Sequence, residues 1–346
     1  MATLKDCVQI AIEETPRYEN ATLSSPYRIS TNVKYLPVQS VRINPAPIFM
    51  DRGDEVRGTE GAPAQIIDGF EPDGAIAMRA YVNDLAYLLP LAGWTGTHTT
   101  STGTTTDPDG STIAVGAHKW VFDKRVGVTA KTAQLQVCYA DELVFLKGQG
   151  FGIQNMTLNA AGELACDMAG LVLLNQTDPN LTPTFDAATL LPIRKGDLAL
   201  TWLASTGTTE DFSLAISSPL LRVKSLGATS AGFYPDQLLF GDEKVKVTGT
   251  MPKSALADAD IDALMAGTTF NAKAKWQTPI NASGSTKYAV WVEMPACQYI
   301  GGQPDELANK RRFGGSFDFF ASWSESAGYD ARITLVNMVA ATETYA

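Results

Sequence analysis

The chain has 346 residues, of which 45% are hydrophobic, and its formal net charge is −10. This length accommodates about two domains, and the apolar content is typical of a globular protein with a packed core, which excludes a disordered chain. Acidic residues outnumber basic ones in both halves, so neither half offers the basic field that nucleic-acid binding requires; no apolar run reaches the roughly 20 residues of a membrane span.

The N-terminal residues 1–37 contain Pro16, Pro26 and Pro37, which interrupt any long helix or strand. We interpret this segment as an extended arm that lies on another part of an assembly. The first residues carry charges inside their apolar part and have no signal-peptide core, which predicts a protein that is made in the cytoplasm.

A first domain is predicted for residues 38–175, beginning with an edge strand near Val38 and a turn at Gly53-Asp54-Glu55. The segment Thr95–Gly116 is mostly threonine, serine and glycine, which predicts a surface loop that is free or lies against a neighbouring subunit. Short apolar segments with regular turn signals from Gln134 to Asn175 predict an antiparallel meander.

The first domain also contains a predicted amphipathic helix. Its apolar residues recur at helical spacing from Met78 to Leu89. Asp73 is the expected N-cap, and Pro90 with Gly93 is expected to end the helix.

The second half repeats this order of elements. After a linker at residues 176–195, the predicted second domain at 196–346 contains a turn at Gly241-Asp242-Glu243 and a strand, followed by a short helix that Gly267 closes. The predicted fold class is therefore mainly β with short helices, as two tandem antiparallel β-sandwich domains, each flanked by one helix.

A gene duplication explains the repeated order, with Trp94 after the first helix corresponding to Trp276 after the second. The alternative is that two α+β domains of one class share turn chemistry by chance.

Candidate catalytic and metal-binding residues are few. The two histidines, His98 and His118, flank the polar loop, and a zinc site or a Ser-His-Asp relay would need one of them. No zinc, hydrolase or phosphate-loop motif lies near either residue, so we interpret both as solvated loop residues. The four cysteines have neither metal-binding nor disulfide spacing.

Two stretches resemble ligand-binding loops but lack the required context. Gly148–Gly152 lies between predicted strands rather than before a helix, which predicts a turn. Asp107–Gly110 resembles the start of a calcium loop, but His118 stands where that loop needs a glutamate, so we predict a turn here too. The sequence therefore predicts no catalytic residue, cofactor or metal site, and favours a structural protein.

The pattern as a whole resembles the major tail tube proteins of long-tailed, non-contractile bacteriophages. The likeness covers nearly the whole chain and consists of patterns rather than invariant signatures. It is carried by the strand pair at Gly53-Asp54-Glu55 and Gly58-Thr59, the helix Gly74–Leu89, the meander Gln134–Asn175 and the stretch from Val290–Pro295 to Arg332–Asn337.

The resemblance implies barrel-forming tail-tube domains, with a long hairpin and an N-terminal arm that contact neighbours. Two fused copies imply homotrimeric rings with pseudo-sixfold symmetry, or else a hexamer, stacked into a virion tail with an acidic bore. The implied partners are further copies of the chain, a tape measure protein, a tail terminator and genomic DNA that passes without specific binding; no membrane and no enzymatic activity are implied.

A different class is an extracellular or virion-associated β-sandwich binding module, such as an adhesin domain. Such a module would expose a cluster of aromatic side chains, for which Trp202, Trp291 and Trp323 are the candidates. A glycosidase with two facing carboxylates is a third alternative.

Overall fold

The structure is a computed structural model that describes residues 7–12, 34–50, 65–124, 131–138, 145–175, 191–203, 209, 211–223, 237–240, 246–253, 258–304 and 315–340. Within these residues the chain is mainly β, with two short α-helices, which confirms the predicted mainly-β class. The pairings between its strands are antiparallel. The predicted turns at Gly53-Asp54-Glu55 and Gly241-Asp242-Glu243 lie outside the described residues.

The elements of the first half are β1 Cys7–Ile12, β2 Lys34–Leu36, β3 Val38–Asn44, β4 Pro47–Met50, β5 Ile66–Phe70, β6 Asp73–Arg79, α1 Val82–Leu91, β7 Trp94–Thr100, β8 His118–Lys124, β9 Ala133–Cys138, β10 Phe145–Asn159, β11 Glu163–Ala169 and β12 Val172–Asn175.

A 3-10 helix at Lys195–Asp197 precedes the second half, whose elements are β13 Leu198–Thr201, β14 Ser213–Ser217, β15 Leu220–Val223, β16 Gln237–Phe240, β17 Lys246–Lys253, α2 Asp258–Ala266, β18 Thr269–Ser283, β19 Thr286–Pro304, β20 Gly315–Ala321 and β21 Arg332–Asn337.

The first helix is shorter at its N-terminus than predicted. Met78 belongs to β6, in which Gly74, Ile76 and Met78 alternate as buried residues and the strand pairs with β3 and β11. Asp73 is therefore the first residue of a strand and not an N-cap. At the other end the prediction is confirmed, because Pro90 lies in the last turn and Gly93 follows with φ +85°.

The same pairing scheme occurs in both halves. The six pairings β1–β9, β9–β10, β10–β11, β11–β6, β6–β3 and β10–β12 recur as β13–β18, β18–β19, β19–β20, β20–β17, β17–β14 and β19–β21. The repeat supports a duplication. It also corrects one correspondence: Trp94 begins β7, in a hairpin that the scheme of the second half lacks, whereas Trp276 lies in β18, the counterpart of β9.

The two halves share one sheet and one core. β10 pairs with β14, and β21 pairs with β8. Leu85 and Leu89 of α1 pack with Leu214, Ile216 and Ile333 around a small apolar cavity between the halves. The boundaries 38–175, 176–195 and 196–346 stay predictions.

Part of the predicted arm at residues 1–37 belongs to the fold. β1 pairs with β9 on one side and β2 on the other, and it buries Val8 and Ile10 completely in the main core. The prolines that argued against a long element, Pro16, Pro26 and Pro37, all follow Cys7–Ile12 and therefore do not interrupt this strand.

The polar segment Thr95–Gly116 is a strand followed by a loop that packs on the second half. Ile113 is buried beside Trp291, and the Ala114 amide donates a 2.8 Å hydrogen bond to Thr286 Oγ1. Its Asp107–Gly110 stretch is a turn, as predicted, in which Asp107 Oδ1 accepts two backbone N–H groups.

Each helix carries a buried aspartate at its third residue, and each aspartate faces a buried lysine. In α2, Lys253 Nζ lies 2.6 Å from both carboxylate oxygens of Asp260, and the Tyr299 hydroxyl donates to the same carboxylate at 2.8 Å. In α1, Lys34 Nζ is 3.6 Å from Asp84, and burial raises the pKa of that carboxyl to about 6 despite the lysine.

Neither described helix is long and apolar enough to cross a membrane.

Candidate functional site: the open sheet face and its outer edges

Eight strands form one continuous run in the order β3, β6, β11, β10, β14, β17, β20, β19, with four strands from each half. The halves meet where Asn155–Asn159 of β10 lies antiparallel to Ser213–Ser217 of β14, through five residue pairs. We call this pairing the internal junction.

One face of the run forms a wall of the main core. Because side chains alternate across a strand, every second residue of these strands points to this face, and most of these residues are buried. These residues are mostly large and apolar and include Ile76, Met78, Met156, Leu158, Leu164, Met168, Leu214, Ile216, Val247, Met251, Phe317 and Phe319.

The opposite face, which we call the open face, carries mainly small and polar side chains, with the half-buried Phe320 as an aromatic exception. The registers place them side by side; Thr157 lies opposite Ala215, and Thr250 opposite Asp318. Its uncharged members include Ser40, Asn44, Ala75, Ala77, Asn155, Thr157, Asn159, Ala165, Ser213, Ala215, Ser217, Thr248, Thr250 and Ser316.

The charges of the open face nearly cancel. Its basic side chains are Arg42, Arg79 and Lys246, and its acidic ones are Asp73, Glu163, Asp167 and Asp318. Arg79 and Glu163 form a 3.3 Å ion pair with each other. As far as the described residues show it, the open face is therefore close to neutral rather than strongly acidic, and these residues form no basic patch that would hold phosphates.

The run ends in two outer edges. β3 pairs with β6 on one side, and β19 beyond Gln298 pairs with β20 on one side, since its pairing with β18 begins at Gln298. Within the described residues no strand pairs with the other side of either segment. Exposed edges of this kind are templates for pairing with another chain unless charge, proline or a covering element blocks them. No proline occurs within Val38–Asn44.

The two histidines lie on neighbouring strands and not in a solvated loop, which corrects the sequence interpretation. His98 Nε2 is 2.9 Å from His118 Nδ1, and the His98 ring packs on Trp120. Burial, and then the neighbouring His118, lower the pKa of His98. In the part of the chain that the structure describes, no group of three or more His, Cys, Asp or Glu side chains could hold a metal ion.

Gly148–Gly152 is not a turn between two strands, as predicted, but part of the single strand β10. Gly150 has φ +68°, and the register shifts between Gly148 and Phe151. At this bulge β10 leaves its pairing with β9 and β12 and passes to β11 and β14. Bulges commonly allow one strand to join two layers of a sandwich.

The three tryptophans do not form an exposed aromatic face. Trp291 is buried, and its Nε1 donates to Asp109 at 3.0 Å. Trp202 is half-buried and donates to the Tyr299 hydroxyl. Trp323 alone among the three is strongly exposed, at 64%.

Neither the protein-family models nor the curated protein sequences include a match to this chain.

Proposed function

We propose that this chain is a structural subunit that polymerises into rings and tubes, as the major tail tube protein of a long-tailed bacteriophage does. The observation that carries the proposal is the internal junction. It joins two equivalent four-stranded units edge to edge, and the same two edges recur, without a partner strand among the described residues, at the ends of the eight-stranded run.

The internal junction predicts how one chain meets the next. β14 is the counterpart of β3, and the second half of β10 is the counterpart of β19 beyond Cys297. Applying the register of β10 and β14 to these strands places Ser40–Ile43 of one chain antiparallel to Tyr299–Gln303 of the next. Such a contact is head to tail, and head-to-tail contacts that close give rings.

A ring of three chains would contain six equivalent units and 24 strands, since each chain supplies eight. With strands about 4.8 Å apart and tilted by about 40°, the backbone cylinder would be about 45–50 Å across. In the proposed ring the open face, which lies opposite the main core, would be turned inward and would line the bore. Its neutral, small and polar side chains suit the passage of DNA, because they offer no lysine or arginine cluster from which counterion release would give affinity.

Negative-stain microscopy and mass measurement of the purified protein test the proposal. Trimeric rings or stacked tubes are the expected result. A disulfide between Ser40→Cys and Gln303→Cys should link neighbouring chains, while each single variant should not form chains longer than a dimer. Dispersed monomers without this cross-link would contradict the proposal and favour the binding-module class.

A further inference from the structure

The hairpin β15–β16 of the second half packs on the first half of the chain. Its Leu220, Leu238 and Phe240 form a small apolar cluster with Ala169 and Leu171, which belong to the first half. This cluster lies just beyond the internal junction, because β15 follows β14 after two residues.

A polar contact reinforces this grip. Arg222 donates to the carbonyl oxygen of Pro72 at 2.7 Å and to that of Gly170 at 3.3 Å, and it lies 3.8 Å from Glu71. The hairpin of the second half is thus fastened to the ends of β6 and β11 in the first half.

The first half has the corresponding hairpin, β4–β5, which follows β3 after two residues. Its side chains Phe49, Met50, Ile66 and Ile67 are large, apolar and 39–49% exposed. Phe49 pairs with Ile67, and Met50 pairs with Ile66, so the two pairs lie on opposite faces of the hairpin. We call Phe49 and Ile67, which lie on the face equivalent to that of Arg222 and Leu238, the apolar hairpin patch. Exposed apolar side chains that lie side by side in this way favour an interaction site.

The registers identify what should meet this patch. Asn44 and Ser217 are equivalent, because each ends its strand opposite the first residue of β6 or β17. Five residues further along, Phe49 takes the place of Arg222.

The same comparison finds the surface on which Phe49 should lie. Ala169 pairs with Asp73, the first residue of β6. In the second half, Phe320 pairs with Thr248, which lies two residues after Lys246, the first residue of β17. The position opposite Lys246 is therefore two residues beyond Phe320. Ser322 therefore takes the place of Ala169, and Trp323 takes the place of Gly170.

The two substitutions match each other. Within the chain, Arg222 donates a hydrogen bond to the backbone carbonyl oxygen of Gly170. At the outer edges, Phe49 occupies the position equivalent to Arg222, and Trp323 occupies the position equivalent to Gly170. The two aromatic side chains are 47% and 64% exposed, respectively. Aromatic side chains have large apolar surfaces and attract one another, so a polar contact within the chain corresponds to an aromatic one at the outer edges.

We infer that the apolar hairpin patch of one chain packs on Trp323 of the next copy, beside the strand pairing between β3 and β19. This inference names the lateral contact within the proposed ring and in that sense rests on the proposed function. The strand pairing and the hairpin contact require the same placement of the neighbour, because the internal junction already combines both in one geometry.

Single substitutions test the contact. Phe49→Ser and Trp323→Ser should each raise the protein concentration needed for assembly about tenfold or more, since aromatic residues at the centre of an interface carry much of its binding free energy. Both side chains are exposed in the single chain, so the thermal unfolding of unassembled protein should change little. Met265→Ser is the matched control, because Met265 is 84% exposed on α2 and lies outside the contact.

A mixing experiment adds a signature that misfolding cannot produce. Phe49→Ser protein retains Trp323, and Trp323→Ser protein retains the hairpin patch, so a mixture can form one intact contact per pair. The mixture should give heterodimers, whereas each variant alone should stay monomeric at the same concentration.

Cross-linking separates this inference from the tube proposal. A disulfide between Phe49→Cys and Trp323→Cys in neighbouring chains supports the contact, whether the particles are rings or open chains; open chains would overturn only the tube. Wild-type-like assembly of both serine variants, together with the absence of this disulfide, would overturn the hairpin contact, and rings in that same experiment would leave the tube standing.

Discussion

Both helices carry a buried aspartate that faces a buried lysine, but the surroundings of the two helices differ. All ten residues of α1 are buried, whereas only Asp260 and Ala263 are buried in α2. The reason is position: α1 lies between the halves and packs on β7, β10, β19 and β21, whereas α2 packs mainly on β19 of its own half.

The difference shows what a neighbouring unit contributes. α1 is held by apolar burial, and its Asp84 is only 3.6 Å from Lys34. α2 has little apolar burial and is held by the tight Lys253–Asp260 pair and by Tyr299. One fold unit therefore fastens its helix in two ways, according to whether a second unit covers it.

The largest effect is expected at the ion pair of α2. Lys253→Met leaves the Asp260 carboxylate buried without its cation, which should lower the free energy of unfolding by about 3–5 kcal/mol. The double variant Lys253→Met/Asp260→Leu removes both charges and should recover part of that loss. Chemical denaturation measures both values, and a loss below about 1 kcal/mol in the single variant would refute the role given to this pair.

A core truncation in α1 should come next. Leu88 is buried, so Leu88→Ala should cost about 3 kcal/mol through lost burial and the cavity that remains. Met265→Ala on α2 is the matched change and should stay within about 0.5 kcal/mol, because that side chain is exposed. Equal losses in the two variants would contradict the contrast between the helices.

The carboxyl of Asp84 should give α1 a pH dependence. Its pKa is raised by burial to about 6 in the folded chain from 3.8, so the folded state binds a proton more readily than the unfolded state does. The contribution of Asp84 to stability should therefore fall by roughly 2–3 kcal/mol as pH rises from about 4 to about 6, and stay constant above. Asp84→Asn should lack this component, which the difference between the two pH–stability curves isolates; identical curves would contradict the assignment.

The smallest effect is expected where the loop of the first half is fastened to the second. Although partial burial opposes it, hydrogen bonds from Lys273, Lys275 and Trp291 hold the pKa of Asp109 well below its usual range. Asp109→Asn should cost about 1 kcal/mol or less, because the carboxylate is partly solvated. The loss should be complete above the carboxyl's unfolded pKa near 4 and should shrink gradually as pH falls from there towards the lower pKa of the folded state; an equal loss in strong acid would point to packing instead.

Local patterns in the sequence predicted those elements that short-range rules determine. The mainly β class, the helix closed by Gly267, the end of α1 and the turn at Asp107 followed from periodicity and turn chemistry. The structure also gives a reason for Gly249 in its repeated strand: a Cβ there would lie 2.0 Å from the Ser213 carbonyl oxygen.

The remaining features depend on contacts between residues far apart in the chain. Met78 fits both the last position of an alternating strand and the first position of a helical stripe, and only the pairing of β6 on both sides decides between them. The His98–His118 contact and the Lys253–Asp260 pair require a register or a helix position that no local signal specifies. The outer edges can be identified only when the pairing of all the remaining strands is known.

The balance of charges on the open face has a consequence for anything that moves along it. A polyanion meets alternating attraction and repulsion as it advances, and the height of these alternations sets the friction that it experiences. Two features keep these variations in electrostatic potential small: the ion pair between Arg79 and Glu163, and the alanine, serine and threonine residues that lie between the charged positions. In the proposed tube, a chain of phosphates would therefore move along a surface of nearly uniform electrostatic potential, without local energy minima that would slow its exit.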